Sequence, residues 1–161
     1  MYSFQLITQE QAEEIAFNWH YDGKYAFYNM EADEEDLTEF LDRDKRADSV
    51  YAVTENNRLI GFFSIHHEEN DTIDIGLGLR PDLTGQGLGY TFLATGIDYI
   101  KERFSPAFIT LAVAVFNDRA IKVYKKAGFK EEATFLQSTN GGEYEFVKMI
   151  YPCKKVLISI K

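Results

Sequence analysis

The chain has 161 residues, of which 45% are hydrophobic and 15% aromatic, which is enough for one domain with a full core. Its formal net charge of −9 argues against a nucleic-acid partner, because neutralising phosphates requires clustered Lys and Arg. Cys153 is the single cysteine, which excludes an internal disulfide and a cysteine-based metal site. With no signal-peptide pattern and no apolar run of the roughly 18 residues that cross a bilayer, we expect a soluble, cytoplasmic protein without a membrane partner.

The N-terminal part predicts one strand and two helices joined by an aromatic segment. Residues 3–7 form a short strand, and Thr8 with Gln11 gives the capping-box pattern that begins a helix through about residue 17. A second helix, at about residues 33–43, begins among acidic side chains, which its dipole favours. The irregular segment between the helices contains Trp19, Tyr21, Tyr25 and Tyr28.

The middle of the chain predicts three consecutive antiparallel strands. Residues 49–54 and 59–66 are joined through Asn56 and Asn57, which suit the positive φ angles of a tight hairpin. The third strand, residues 73–79, alternates Ile and Leu with Asp and Gly.

A glycine-rich turn follows this third strand and leads into an amphipathic helix. Without side chains at Gly85, Gly87 and Gly89, the backbone can approach a ligand and point N–H groups at it, and the first helical turn adds partial positive charge. The turn therefore predicts a ligand that carries phosphate. A P-loop nucleotide hydrolase is disfavoured because Lys and Ser/Thr do not follow the last glycine, and the spacing does not match the dinucleotide fingerprint either.

The C-terminal part predicts three more strands and a helix. Residues 108–116 are apolar on both faces, as in a central strand covered on both sides. A helix at 117–127 ends before Gly128, a suitable C′ glycine. Two strands at 130–137 and 143–151 follow, and residues 156–160 form either an edge strand or a frayed tail.

Two segments, LRPDLTGQGLG at residues 79–89 and NDRAIKVYKKAGF at residues 117–129, resemble the signature motifs of the GNAT superfamily of N-acetyltransferases. Within it, the chain looks most like the branch that includes ribosomal-protein N-terminal (alanine) acetyltransferases. The resemblance implies a mixed α/β fold with a mostly antiparallel, twisted sheet of about six or seven strands, one splayed parallel pair and about four flanking helices. It also implies a single domain, with residues 1–48 on the substrate side, 49–151 as the cofactor-binding core and 152–161 as a tail.

The resemblance further implies that the chain binds acetyl-CoA. The backbone of Leu77 and Leu79 would line the pantetheine arm, with the Leu79 N–H as a candidate donor to the thioester oxygen. Thr84 stands where the superfamily usually has Gln or Arg; its hydroxyl can still hydrogen-bond a phosphate, but the lost charge or reach predicts reduced affinity. The expected cofactor-binding residues are Leu77, Leu79, Thr84, Gly85, Gln86, Gly87, Leu88, Gly89, Tyr90, Asn117, Ala120 and Tyr124.

Catalytic residues are also suggested by the resemblance. Tyr124 lies two helical turns after Asn117 and shares its face; it would donate its proton to the leaving thiolate while Asn117 holds the cofactor arm. A plain N-cap for Asn117 and core packing for Tyr124 are the alternatives. Asp74 is the candidate general base, and His66, His67 or ordered water are alternatives to it.

The acceptor pocket is expected in the N-terminal part. There Trp19, Tyr21, Tyr25 and Tyr28 either form an aromatic wall for a cation or aliphatic chain or pack the first helices.

We expect an N-acetyltransferase that acetylates a primary amine, either a small molecule or a peptide N-terminus, by direct attack on the thioester. The competing interpretation is a non-catalytic CoA-binding or partner-binding module. The pattern predicts no metal site, and both a monomer and a homodimer are compatible with it.

Overall fold

A computed structural model describes residues 1–153 of the chain, and the tail predicted at residues 156–160 lies outside them. Within the described residues, no helix is both long and apolar enough to cross a membrane. The described strands are β1 (Tyr2–Leu6), β2 (Val50–Glu55), β3 (Arg58–Glu68), β4 (Thr72–Leu79), β5 (Phe108–Ala114), β6 (Lys130–Thr139) and β7 (Gly142–Pro152). The α-helices are α1 (Gln9–Asn18), α2 (Glu34–Leu41), α3 (Arg43–Arg46), α4 (Leu88–Phe104) and α5 (Asp118–Ala127).

The strands form one sheet in the order β1-β2-β3-β4-β5-β7-β6. All neighbouring strands are antiparallel except β4 and β5, which run parallel. Asn56 and Asn57 have φ angles of 51° and 64° in the turn between β2 and β3. The predicted mixed α/β fold, with a mostly antiparallel sheet and one parallel pair, is confirmed.

Some predicted elements differ from the structure in their extent. A 3-10 helix occupies Gly23–Tyr28, so part of the aromatic segment is regular. The second helix, expected at residues 33–43, is broken at Asp42, whose carboxylate caps the short helix α3 instead. β5 ends at Ala114 rather than at residue 116, which leaves residues 115–117 to turn the chain into α5.

Two adjacent aromatic residues of β3 show how the sheet is covered on both faces. The Phe63 ring packs against Phe92 of α4 with centroids 4.8 Å apart. Phe62 instead contacts Trp19 and Phe40, with centroids 6.4 and 5.6 Å away. Because neighbouring strand residues point to opposite faces, α4 covers one face and the segment containing α1 and α2 covers the other.

Gly96 is a point of close approach between α4 and the sheet, because a Cβ there would overlap the buried Phe63 ring. We expect Gly96→Ala to lower the free energy of unfolding by about 1–3 kcal/mol, since overpacking outweighs the roughly 1 kcal/mol by which Ala favours a helix over Gly. Urea denaturation measures the change. Gly89→Ala in the same helix is the control, because its Cβ would meet only Val123 at an ordinary 3.8 Å. Equal destabilisation by both substitutions would contradict the overlap.

Candidate functional site

The sheet opens between its two parallel strands. β4 and β5 pair only where Thr72–Asp74 face Phe108–Thr110, and beyond these residues the strands separate. A cavity of about 400 Å³ lies at this opening, lined by residues 75–79 of β4, residues 111–113 of β5 and parts of the N-terminal segment. The splayed parallel pair predicted from the sequence is therefore present, and it forms one side of a pocket.

The backbone of β4 alternates between its two neighbours. The Arg80 N–H donates to a β3 carbonyl at 2.8 Å, and the Gly76 N–H donates to Ser64 Oγ at 2.9 Å. Since the even-numbered residues bond toward β3, the odd-numbered residues direct their N–H and C=O groups to the other side of the strand. The backbone groups of Leu77 and Leu79 therefore face the opening, and both residues line the cavity.

The turn between β4 and α4 has the backbone of an anion-binding loop. Gly85 and Gly87 are left-handed, with φ angles of +73° and +77°, and Gly87 is the N-cap of the 17-residue helix α4. Left-handed residues beside right-handed ones direct successive N–H groups into one concavity, to which the helix N-terminus adds positive partial charge. A Cβ on Gly87 would have no neighbour within 4 Å, so the space beside this backbone is open to a ligand.

The polar side chains of this loop bond within it. Thr84 donates its hydroxyl and its N–H to the Pro81 carbonyl, at 2.7 and 3.2 Å, and Gln86 Nε2 donates to the Asp82 carbonyl at 2.6 Å. In this structure the Thr84 hydroxyl, for which the sequence predicts a hydrogen bond to phosphate, closes the turn after β4. The first turn of α4 contains Leu88, Gly89 and Tyr90.

Helix α5 and its N-cap place Tyr124 and Asn117 together on the cavity. Asn117 Oδ1 accepts the Ala120 N–H at 3.1 Å, as an N-cap does, and its side chain also contacts the Tyr28 hydroxyl. The Tyr124 ring packs edge-on against Phe129. Burial raises the pKa of Tyr124 above its usual value, and neighbouring Tyr28 raises it further. Tyr124 therefore presents a protonated hydroxyl at neutral pH.

The predicted aromatic residues all line the cavity: Trp19, Tyr21, Tyr25 and Tyr28. We call them the aromatic wall. The Tyr21 hydroxyl donates to the Leu79 carbonyl at 2.7 Å, and the Tyr28 hydroxyl accepts the Ala114 N–H at 3.2 Å. The wall is thereby fastened to β4 and to β5, on both sides of the opening.

Two carboxylates that the sequence analysis did not single out, Asp33 and Asp36, also line the cavity. Asp33 Oδ2 accepts hydrogen bonds from the Thr139 hydroxyl at 3.1 Å and the Asn140 N–H at 2.9 Å. Hydrogen bonds from the Asp36 and Asn140 N–H groups lower the pKa of Asp33. Burial raises that of Asp36, with a further contribution from the charge of Asp33. Asp33 is thus a structural carboxylate, whereas Asp36 is available to a cationic ligand.

Asp74, the predicted general base, does not line this cavity. It lies at the last paired position of β4 and β5, where the Thr110 hydroxyl donates to its Oδ1 at 2.7 Å. Burial raises the pKa of Asp74, and the Thr110 hydrogen bond opposes that shift. Neither alternative base lines the cavity: His66 is paired opposite Asp74, and His67 packs against Phe104. No group of three or more His, Cys, Asp or Glu within residues 1–153 is placed to hold a metal ion.

Arg119 is a cavity residue that the sequence analysis missed. Its guanidinium carbon lies 4.0 Å from the centroid of the Tyr25 ring, and its Nη1 lies 3.7 Å from where a Cβ on Gly85 would be. It falls inside the second motif, two positions after Asn117, where the motif leaves the residue type open. No sequence signal therefore distinguished it from the other basic residues of α5.

Comparison with known proteins gives these features a context. The model of a family described as an acetyltransferase (GNAT) domain matches residues 3–130. A mycothiol acetyltransferase of Saccharopolyspora erythraea is 30% identical over 124 residues, which are 76% of this chain and 39% of that protein. A peptidyl-lysine N-acetyltransferase of Salmonella typhimurium is 30% identical over 101 residues, 63% of each chain. The chain thus spans less than two thirds of the length of these curated relatives.

Solved structures share the fold. A spermidine N-acetyltransferase from Vibrio cholerae, determined in complex with CoA and spermine, superposes with a TM-score of 0.73 over 94% of this chain and 95% of that one. Sequence identity between the two is 19%, so the likeness concerns the fold alone.

Proposed function

This chain belongs to the GNAT acetyltransferase family, and on that premise we propose that it transfers the acetyl group of acetyl-CoA to a primary amine by direct attack on the thioester. The observation that carries the proposal is the opening between β4 and β5. There the exposed backbone of Leu77 and Leu79, the Tyr124 hydroxyl and the aromatic wall line one cavity, and the glycine loop directly follows β4.

The residues present fit acetyl-CoA, which would supply the activated acetyl group. The loop at residues 85–89 offers N–H groups and a helix N-terminus to a pyrophosphate. The Leu77 and Leu79 backbone lies beyond the part of β4 that pairs with β5, and it offers its free groups to the amide groups of the pantetheine arm. Because Tyr21 already holds the Leu79 carbonyl, the Leu79 N–H is the group left on this residue to polarise a thioester oxygen.

Tyr124 is the proposed acid for the leaving sulfur. Because burial raises its pKa, its hydroxyl keeps its proton at neutral pH and acts first as a hydrogen-bond donor. It gives up that proton only as negative charge develops on the sulfur, which is where general acid catalysis contributes.

The attacking amine must lose a proton too. For an ammonium of pKa near 10, forming the neutral amine at pH 7 costs roughly 4 kcal/mol of free energy. Asp36 is a cavity carboxylate able to receive that proton, whereas Asp74, the base predicted from the sequence, lies outside the cavity.

The proposed acceptor is an amine with an apolar or aromatic body next to its cationic group. The aromatic wall offers flat apolar surfaces to such a molecule, and Asp36 offers one negative charge that no other described residue neutralises. A small amine fits this description, and so does a peptide N-terminus, the class suggested by the resemblance to the ribosomal-protein branch.

Asp36→Asn is expected to raise the KM for a cationic acceptor about tenfold, which corresponds to about 1.4 kcal/mol, with little change in the KM for acetyl-CoA. Glu35→Gln is the matched control, because Glu35 lies next to Asp36 on α2 but outside the cavity.

Since burial raises the pKa of Asp36, its carboxylate becomes charged at a higher pH than an ordinary Asp. The wild-type KM should therefore fall as pH rises through that pKa, and Asp36→Asn should lose this dependence. An equal effect of Glu35→Gln would show that only net charge matters.

Turnover tests the proposed function directly. The protein is incubated with acetyl-CoA and a panel of small amines and peptides, and the released thiol is measured with a thiol reagent. Thiol release that depends on an amine supports the proposal. Binding of acetyl-CoA without turnover across the panel would favour the non-catalytic CoA-binding module, for which the position of Asp74 outside the cavity is the structural argument.

A further inference from the structure

Arg80, the basic residue that immediately precedes the loop, is already engaged. Its Nε donates to Asp82 Oδ1 at 2.6 Å and its Nη2 to Oδ2 at 3.2 Å, while Nη1 donates to the Leu59 carbonyl at 3.2 Å. Only 14% of the Arg80 side chain is exposed. Arg80 is the only basic residue among residues 80–86, so this segment offers no free side-chain cation to a bound phosphate. The polar side chains of Thr84 and Gln86 also bond within the loop.

Arg119 brings a cation to the same loop from α5. The Nη1 distance of 3.7 Å, measured to the Cβ position of Gly85, places the guanidinium beside the left-handed start of the loop. None of the ion pairs within the described residues includes Arg119. Its charge is therefore not neutralised by a neighbouring carboxylate.

The guanidinium is also held in place. The Tyr25 ring lies 4.0 Å from its carbon, a distance typical of a cation–π contact. Burial raises the pKa of nearby Tyr21, and the charge of Arg119 partly opposes this shift. Arg119 thus lies between the glycine loop and two residues of the aromatic wall.

We propose that Arg119 binds the pyrophosphate of the cofactor. From α5 it supplies the positive charge that the loop lacks, since Thr84 stands where the superfamily usually has Gln or Arg. The inference rests on the proposed function, since it assigns a residue to the cofactor site. A guanidinium presents planar N–H donors that match phosphate oxygens, and the bonds are charge-assisted. Because Tyr25 and Tyr21 belong to the aromatic wall, the same residue joins the cofactor side of the cavity to the acceptor side.

The test is calorimetric binding of CoA and of dephospho-CoA, which lacks the 3′-phosphate but keeps the pyrophosphate. We expect Arg119→Gln to weaken binding of both ligands by about tenfold or more, the loss expected for charge-assisted hydrogen bonds, and to make the affinity less sensitive to salt. Lys122→Gln is the matched control: it removes the same charge one turn further along α5 from an exposed residue outside the cavity. Melting curves check that both variants are folded.

The outcomes separate this inference from the proposed function. Equal affinities of wild type and Arg119→Gln, or a loss with CoA but not with dephospho-CoA, would overturn the assignment of Arg119 to the pyrophosphate while leaving CoA binding intact. An equal loss of affinity in Lys122→Gln would show that the effect comes from net charge alone, and it would also overturn the assignment of Arg119. A wild-type protein that binds neither ligand would overturn the proposed function itself.

Discussion

Tyr124→Phe is expected to lower kcat by about 10²- to 10⁴-fold, the usual contribution of a positioned general acid. The substitution removes one oxygen and leaves the ring against Phe129, where it packs edge-on with centroids 5.9 Å apart. Affinity for acetyl-CoA should therefore change by no more than about twofold, because only the hydroxyl acting on the leaving sulfur is lost. Steady-state kinetics at saturating acetyl-CoA and calorimetry measure the two quantities separately.

Tyr99→Phe is the control for this substitution. Tyr99 stacks on Phe4 with centroids 4.3 Å apart, on α4 and outside the cavity, so removing its hydroxyl should leave kcat unchanged. Because burial raises the pKa of Tyr124, its ionisation should not lower the rate at any pH below about 10. An unchanged kcat in Tyr124→Phe would remove Tyr124 as the acid.

Gly87→Glu is expected to weaken acetyl-CoA binding more than about 100-fold. The new side chain enters the open space beside the loop, and its carboxylate repels a pyrophosphate where the helix N-terminus attracts one. The φ angle of +77° adds backbone strain of roughly 1–2 kcal/mol for a residue with a Cβ. Calorimetry gives the affinity, and urea denaturation gives the stability.

Gly141→Glu separates these two effects. Gly141 has the same φ angle of +77°, and a Cβ at this position would also have no neighbour within 4 Å, but it lies in the turn between β6 and β7. The control therefore carries the same charge and a comparable strain away from the glycine loop. It should lose stability like Gly87→Glu and keep its affinity for acetyl-CoA. Similar affinities in the two variants would mean that the loop does not bind the pyrophosphate.

Features encoded in short, continuous segments were accessible from the sequence. The antiparallel hairpin at Asn56 and Asn57, the glycine loop and the cap at Asn117 each depend on residues close together in the chain. The family resemblance implied that the backbone of Leu77 and Leu79 lines the cofactor site, and both residues line the cavity at the opening. The parallel pair followed from the family resemblance, and the structure agrees with it.

Features that depend on distant elements were not accessible. Asp74 is the predicted general base, but the sequence does not tell how far β4 and β5 stay paired, and Asp74 lies within the paired part. The acidic residues at the start of α2 look alike in sequence, and only the fold shows that Asp36, but not Glu34 or Glu35, lines the cavity. Arg119 is recognisable as a residue of the site only from the fold, which brings α5 beside Gly85. In each case the missing information is which surfaces meet.

The hydrogen bonds that hold residues 27–33 against the sheet have a consequence for the order of folding. Tyr28 reaches a β5 N–H 86 residues away, Asp33 reaches Thr139 over 106 residues, and the Phe27 carbonyl accepts from Asn140 over 113 residues. Contacts between residues so far apart in sequence are slow to form because long loops must close first. The bonds to Thr139 and Asn140 require the β6–β7 hairpin, so we expect the N-terminal segment to complete its packing late, on a sheet that is already assembled. During synthesis, Phe27 and Asp33 therefore leave the ribosome well before Thr139 and Asn140, the residues to which they bond.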